Sequence, residues 1–197
     1  MQAYIDITLL PGDDIEQHFL LEKTFSQLHL ALVAHKKPEG HSPFAIAFPQ
    51  YSDTRRTVGR KLRIFGDKKA LLQLDLKHRL NGFSDYVHIT TIRAVPDNVT
   101  SWVRFSRLQP KSRSSIQRLA HRAASREGIS VDEAMKQRSH FQPECTKAPY
   151  IWVNSSSSGK RFRLFITQER TAYTDETSTF TSYGLTRKGD NRALPCF

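Results

Sequence analysis

The chain has 197 residues, enough for one domain or two small ones with a core that needs no disulfide or metal to hold it. Its 30 Lys and Arg residues against 19 Asp and Glu residues give a formal net charge of +11. This excess points to a polyanionic partner, with nucleic acid first and an anionic membrane second. No apolar run approaches the roughly 18 residues of a membrane span, and two cysteines make neither a disulfide framework nor a metal site. Because the N-terminus lacks a basic secretory segment, we expect a cytoplasmic protein with reduced thiols.

The first half of the chain predicts the order β-α-β-β-α-β. Alternating apolar residues at positions 3–10 predict a strand, and an apolar stripe of helical period predicts a helix that ends near His35. The next elements are two strands, a helix and a strand, at residues 44–48, 61–65, 67–78 and 86–95. The second helix is expected to turn three leucines inward: Leu71, Leu72 and Leu76. This order is the split βαβ pattern of a ferredoxin-like sandwich.

After Pro96 the pattern changes. Strands are predicted at residues 101–108, 150–153, 160–167 and 179–185, and two helices lie between the first two of these strands. The predicted class is therefore α+β. An N-terminal ferredoxin-like domain occupies residues 1–96, and a smaller α/β domain at residues 97–197 carries an arginine-rich helix and a serine-rich turn.

The arginine-rich helix follows from the charge pattern. Residues 103–126 contain seven Lys and Arg residues and no acidic residue. Three of the arginines are spaced i, i+4, i+8, which stacks them along one helix face: Arg118, Arg122 and Arg126. Leu119 and Ala123 are expected to face the body of the protein. Such a ridge suits a phosphate backbone, and the alternative is a solvated basic face.

The serine-rich turn lies in residues 154–165, NSSSSGKRFRLF. Hydroxyls and backbone N–H groups in such a turn can hold a phosphate, and the alternative is a flexible serine loop. On the following strand, Arg161 and Arg163 project from one face and Phe162 and Leu164 from the other. Phe162 is either a core residue or, if exposed near the strand's end, a platform on which a base stacks.

Candidate catalytic groups are limited. The chain has eight histidines but no H-x-x-x-H pair, C-x-x-C, Walker loop or G-x-S-x-G elbow. A histidine acting alone or with Ser and Tyr is the best equipment for catalysis, because imidazole titrates near neutrality and can take a proton from a hydroxyl. Any single histidine is nevertheless more often a structural or surface residue.

Four segments in order resemble the type I-F CRISPR repeat endoribonucleases, a family of small enzymes that cut precursor CRISPR RNA. The segments are LHLALVA at residues 28–34, SRLQPKS at 106–112, SSSSGKRFRLF at 155–165 and FTSYGL at 180–185. The resemblance covers most of the chain.

The resemblance implies a nuclease that needs no metal and no cofactor. In this family a histidine on the first helix deprotonates a ribose 2′-hydroxyl, which attacks the neighbouring phosphate and gives a 2′,3′-cyclic phosphate and a 5′-hydroxyl. The matching residue here is His29. Ser155 matches the serine that holds the nucleotide in its reactive shape, and Tyr183 the tyrosine beside the histidine; the serine run leaves Ser155 or Ser157 open for this role.

The resemblance also implies how the repeat hairpin is bound. Arg107 and Gln109 match residues that read base edges at the bottom of the stem, and Phe162 an aromatic that stacks under the terminal base pair. The basic helix matches one that enters the major groove from the end of a short stem. The complete set of expected RNA contacts is Arg107, Gln109, Lys111, Ser112, Arg118, His121, Arg122, Arg126, Ser157 and Phe162.

The predicted function is an endoribonuclease that stays on its product and joins other subunits of a type I-F effector complex. The alternative is an RNA-hairpin binding subunit that does not cleave. A membrane-surface role would need exposed aromatic residues on the basic helix, and the sequence of that helix has none.

Overall fold

A computed structural model describes residues 2–10, 12, 14–38, 40–111, 113–138, 145–155, 159–172, 180–187 and 189–197, with the backbone alone for Arg113. Ser112 and Ser157, both predicted to contact RNA, lie outside these residues. The chain forms two compact units. The larger unit comprises Met1–Leu108 and Ala148–Phe197, and the smaller unit comprises Gln109–Lys147.

The first part of the larger unit follows the predicted order of elements. They are β1 (Ala3–Leu9), α1 (Gln17–Ala34), β2 (Ala45–Ala47), β3 (Lys61–Gly66), α2 (Lys68–Gln73), α3 (Leu76–Arg79), a short 3₁₀ turn (Asn81–Phe83), β4 (Val87–Ile89) and β5 (Arg93–Ala94). The strands pair antiparallel in the order β2-β3-β1-β4, and β5 also pairs with β1.

The second predicted helix is in fact two short helices. Asp75 has a left-handed backbone with φ of 44°, which interrupts the helical run between α2 and α3. Leu71 and Leu76 are buried as predicted, but Leu72 is 65% exposed, so its predicted inward position is wrong.

The other sheet of the larger unit comprises β6 (Ser101–Leu108), β7 (Tyr150–Asn154), β8 (Arg161–Thr171) and β9 (Leu194–Cys196), in the order β7-β8-β6-β9. The strand predicted at residues 179–185 is wrong. Among the described residues of this segment, Phe180 forms only an isolated bridge with Ser42, and Thr181 and Leu185 close a turn. Strand β9 was not predicted.

The α+β class is confirmed. The chain passes from one sheet to the other between β5 and β6. The predicted boundary between residues 96 and 97 falls in this stretch, and the division of the chain into two domains at this boundary stays a prediction. A single hydrophobic cluster joins both sheets and α1. The apolar stripe of α1 supplies Phe25, Leu28 and Leu32, all fully buried. This burial fixes the position of α1 and of the polar residues it carries.

The smaller unit contains α4 (Arg113–Glu127) and α5 (Val131–Gln137). Ser130 caps α5, since its hydroxyl accepts a hydrogen bond from the backbone N–H of Glu133 at 3.1 Å. Four alanines form the contact between the helices: Ala120, Ala123, Ala124 and Ala134. Ala123 is therefore buried as predicted, whereas Leu119 is 43% exposed and its predicted inward position is wrong. None of the described helices is long and apolar enough to cross a membrane.

Candidate active site

His29 lies on α1, where it is half-buried, one residue after the fully buried Leu28. Its Nδ1 atom is 3.0 Å from the backbone carbonyl oxygen of Ser182. Because a carbonyl oxygen only accepts hydrogen bonds, Nδ1 carries the proton and the neutral ring keeps its lone pair on Nε2. Burial lowers the pKa of His29 below its ordinary value of 6.5, and the hydrogen bond to Ser182 opposes this shift. The ring is therefore neutral at pH 7, with Nε2 able to accept a proton.

Tyr183 stacks on His29, with ring centroids 4.2 Å apart and ring planes 11° from parallel. The turn that carries Ser182 and Tyr183 is held by backbone hydrogen bonds on both sides. Ile46 N–H donates to the carbonyl of Gly184 at 2.8 Å, and Thr186 N–H donates to that of Phe105 at 2.9 Å. These bonds tie the turn to β2 and β6, so the partners of His29 are fixed by both sheets.

Gly184 is required at this turn for two reasons. Its φ is +69°, a left-handed conformation that favours glycine, and a Cβ atom there would lie 2.8 Å from Cγ1 of Ile46. A glycine therefore permits the close approach of the turn to β2 that sets the position of Tyr183.

The row of side chains continues beyond Tyr183. The guanidinium of Arg107, on β6, lies 5.8 Å from the ring centroid of Tyr183 and 5.3 Å from that of Phe162, on β8. Phe162 is half-buried and packs against the hydrophobic core. The structure thus brings His29, Tyr183, Arg107 and Phe162 into one continuous row, to which four elements contribute.

Ser155 lies at the end of β7 and is half-buried. Its N–H donates to the carbonyl of Lys160 at 2.9 Å, and its carbonyl accepts from Gly159 N–H at 2.8 Å, which closes the serine turn at its base. Beyond the turn, Arg161 and Arg163 are exposed and Leu164 is buried, as the alternation predicted. Because Ser157 lies outside the described residues, the choice between Ser155 and Ser157 stays a prediction.

The smaller unit exposes the predicted basic ridge. Arg118, His121, Arg122 and Arg126 are all exposed on α4. Arg118 donates to the carbonyl of Ser114, and Arg126 donates to Glu127 at 2.9 Å, a hydrogen bond that lowers the pKa of the Glu127 carboxyl. Within the described part of the chain, Arg122 has no hydrogen bond or ion pair with another side chain. Of the residues that precede the helix, Gln109 is exposed and Lys111 half-buried.

Some features of the site were missed by the sequence reasoning. The Ser182 carbonyl that orients His29 is a backbone atom, and no side-chain pattern marks it. The position of Arg107 between two aromatic rings depends on strand pairing in the second sheet.

Among the described residues, no group of three or more His, Cys, Asp or Glu side chains could hold a metal ion.

A family model described as "CRISPR-associated protein (Cas_Csy4)" matches residues 4–197. The chain belongs to the Csy4 family. Two relatives are each named "CRISPR-associated endonuclease Cas6/Csy4". The relative from Pseudomonas aeruginosa (strain UCBPP-PA14) is 32% identical over 189 residues, which cover 96% of this chain and 97% of the relative. The relative from Escherichia coli (strain UTI89 / UPEC) is 28% identical over 185 residues, which cover 94% and 95%. The resemblance to the type I-F CRISPR repeat endoribonucleases is thus confirmed, and the matches cover nearly the whole length of this chain and of both relatives.

Proposed function

We propose that this Csy4-family protein is a metal-independent endoribonuclease that binds the CRISPR repeat hairpin and cleaves precursor CRISPR RNA at the base of the stem. The observation that carries the proposal is the hydrogen bond from His29 Nδ1 to the Ser182 carbonyl, which leaves Nε2 of a neutral ring as a proton acceptor. An endonuclease name on relatives that match almost the full chain supports the same reaction class.

In the proposed reaction, His29 Nε2 takes the proton of the ribose 2′-hydroxyl beside the scissile phosphate. The 2′-oxygen bonds to phosphorus while the bond from phosphorus to the 5′-oxygen breaks. One fragment then ends in a 2′,3′-cyclic phosphate, and the other in a 5′-hydroxyl once the leaving oxygen has taken up a proton. Ser155 holds the nucleotide so that the 2′-oxygen is in line with the breaking bond, and such alignment can supply much of the rate. Tyr183 holds the imidazole by stacking on it.

The RNA-binding residues are proposed to act at the base of the stem and along its backbone. Arg107 and Gln109 read base edges, and Phe162 stacks under the last base pair. The ridge of α4 contacts phosphates in the groove, entered from the end of the stem. After cleavage the protein stays on its product and joins other subunits of a type I-F effector complex in the cytoplasm.

The first test is cleavage of the cognate repeat RNA in the presence of EDTA. We expect cleavage to persist and the upstream fragment to carry a 2′,3′-cyclic phosphate, detected by mass spectrometry. Loss of cleavage that Mg²⁺ restores, or a 3′-hydroxyl on that fragment, would show a metal-assisted mechanism instead.

The second test is the His29→Ala variant. We expect single-turnover cleavage to fall by at least about 100-fold, since general base catalysis typically contributes 10²–10⁴-fold, while the Kd for the hairpin stays nearly unchanged. A matched control is His18→Ala, which changes an exposed histidine near the start of the same helix. Full activity in His29→Ala would refute the catalytic assignment, and a wild-type protein that binds the hairpin without cutting it would favour the non-catalytic binding subunit.

A further inference from the structure

Glu22 is a buried carboxylate on α1 that the proposed chemistry does not use. The residue is 4% exposed. It precedes His29 by seven residues, or two helical turns, so both side chains lie on the same face of α1, about 10 Å apart along the helix axis. A charged group in the buried face of an amphipathic helix needs a partner, because removing a carboxylate from water costs several kcal/mol.

The partners of Glu22 are the two residues that flank the serine turn. Its Oε1 accepts a hydrogen bond from Asn154 Nδ2 at 3.4 Å, and its Oε2 accepts one from Arg161 Nη2 at 2.5 Å. Asn154 is the last residue of β7 and Arg161 the first of β8, and the two are paired in the β7–β8 ladder. A single carboxylate on the helix of His29 therefore holds both ends of the turn that begins with Ser155.

Arg161 is held in this position from a second side. Its guanidinium lies 4.4 Å from the ring centroid of Trp152, while its side chain remains 51% exposed. The guanidinium is thus fixed between an aromatic ring and a buried carboxylate. Apolar packing alone could join a helix to a hairpin, whereas hydrogen bonds to both oxygens of Glu22 define which residues of the hairpin meet α1, so the use of Glu22 here points to a requirement for defined geometry.

We propose that Glu22 is a positioning residue that sets the serine turn relative to His29. The inference rests on the proposed function, because the distance between Ser155 and His29, which Glu22 controls, matters only if these two residues act on the same nucleotide. Glu22 touches neither RNA nor the reacting atoms; it acts through Asn154 and Arg161.

The test compares Glu22→Ala and Glu22→Gln in single-turnover cleavage with the enzyme in excess. We expect the cleavage rate constant of Glu22→Ala to fall by about tenfold or more, because misplacing a reactive group by about 1 Å can cost 10²-fold. The Kd for the hairpin should change by less than about threefold, since the bound stem gains and loses no contact. Glu22→Gln keeps one acceptor oxygen for Arg161, and its NH2 group can donate to the side-chain oxygen of Asn154 once that amide turns over, so this variant should retain most of the rate.

A matched control separates positioning from general stability. Asp6 is also a buried carboxylate paired with an arginine: Arg63 donates to it through Nε at 2.7 Å and Nη2 at 3.0 Å, on β1 and β3. Asp6→Asn and Glu22→Ala should both lower the unfolding midpoint in urea, yet Asp6→Asn should leave the cleavage rate constant of the folded protein unchanged. Equal losses of rate in the two variants would overturn the proposal.

The Arg161→Ala variant decides the route through which Glu22 acts. If Arg161 serves the turn, this variant loses rate as Glu22→Ala does, and the double variant loses little more, because the two residues form one unit. A weakened Kd in Arg161→Ala with an unchanged rate constant would show that Arg161 contacts RNA directly and would overturn the proposal, as would a wild-type rate in Glu22→Ala. Failure of the proposed function is a separate result, since the wild-type protein itself would then not cleave.

Discussion

At the scale of single residues, the chemistry proposed for His29 depends on two neighbours. The Ser182 carbonyl determines which ring nitrogen carries the proton, and the stacked ring of Tyr183 covers one face of the imidazole. Burial disfavours the charged ring, so the pKa lies below 6.5. A histidine in this state is already a base at neutral pH, and no further group has to remove its proton.

This shift predicts the pH dependence of cleavage. Below its pKa the ring is protonated and cannot accept a proton, so kcat/KM should rise with pH and level off with a midpoint below 6.5. Tyr183→Ala, which uncovers the ring, should move the midpoint up towards 6.5, and the control Tyr183→Phe, which keeps the stacked ring, should not. A wild-type midpoint above 6.5 would contradict the role of burial.

The same shift has a consequence for stability. The unfolded chain takes up a proton on His29 at a higher pH than the folded chain does. The contribution of the neutral ring to stability is therefore complete above 6.5 and is lost as the pH falls through the lowered pKa.

Residue identities in the site could be predicted better than their contacts. His29, Tyr183 and Arg107 are identified by the segments in which they occur. The Ser182 carbonyl could not be predicted, because every residue has a carbonyl and only the fold brings this one to His29. The sequence gives only a weak indication of the role of Glu22: this carboxylate lies three residues before Phe25, on the buried face of α1.

At the scale of elements, α4 shows how residue size determines a helix's orientation. Its alanines, and not Leu119, form the contact with α5, because small side chains let the two helices approach closely. The sequence predicted that both Leu119 and Ala123 face inward, but the buried residues of α4 are Ile116, Ala120, Ala123 and Ala124, so only one of the two predicted residues is covered. Leu72 on α2 is a similar case. There the left-handed residue Asp75 separates α2 from α3 and changes the direction of the chain between them. A single apolar stripe predicted for one continuous helix therefore places Leu72 wrongly.

The strand predicted at residues 179–185 is wrong for a different reason. Its composition suits a strand, and Phe180 does bridge to Ser42. Gly184, with its positive φ, turns the backbone after Tyr183, and the segment makes its hydrogen bonds as a turn. Since this turn carries Ser182 and Tyr183, the place where the regular pattern breaks is also the place that positions the proposed base.

The exposed ridge of α4 predicts a change in the salt dependence of RNA binding. Among the described residues, Arg122 has no acidic partner, so its full charge is available to a phosphate. Arg122→Ala should weaken hairpin binding and reduce the slope of log K against log salt by about 0.9. The control Gln117→Ala removes an exposed, uncharged side chain from the same helix and should leave the slope unchanged. An unaltered slope in Arg122→Ala would count against α4 as the element that grips the phosphates.

At the scale of the whole molecule, the proposed active site is assembled from distant parts of the sequence. His29 comes from α1, Arg107 from β6, Ser155 from the end of β7, Phe162 from β8, and Tyr183 from the turn that follows. All of these elements belong to the larger unit and pack on one hydrophobic cluster. The proposed active site therefore has no separate hydrophobic core, and its geometry depends on the folding of this one cluster.

This arrangement predicts that cleavage and the fold of the larger unit are lost together in urea. The two tryptophans, Trp102 and Trp152, both lie in this unit, so their fluorescence reports its unfolding. The cleavage rate should be measured with trace RNA and excess protein, because saturating RNA would itself stabilise the folded state. The two midpoints should coincide if unfolding is a single cooperative transition. Loss of cleavage at a lower urea concentration than the change in fluorescence would contradict this coupling between the proposed active site and the core of the larger unit.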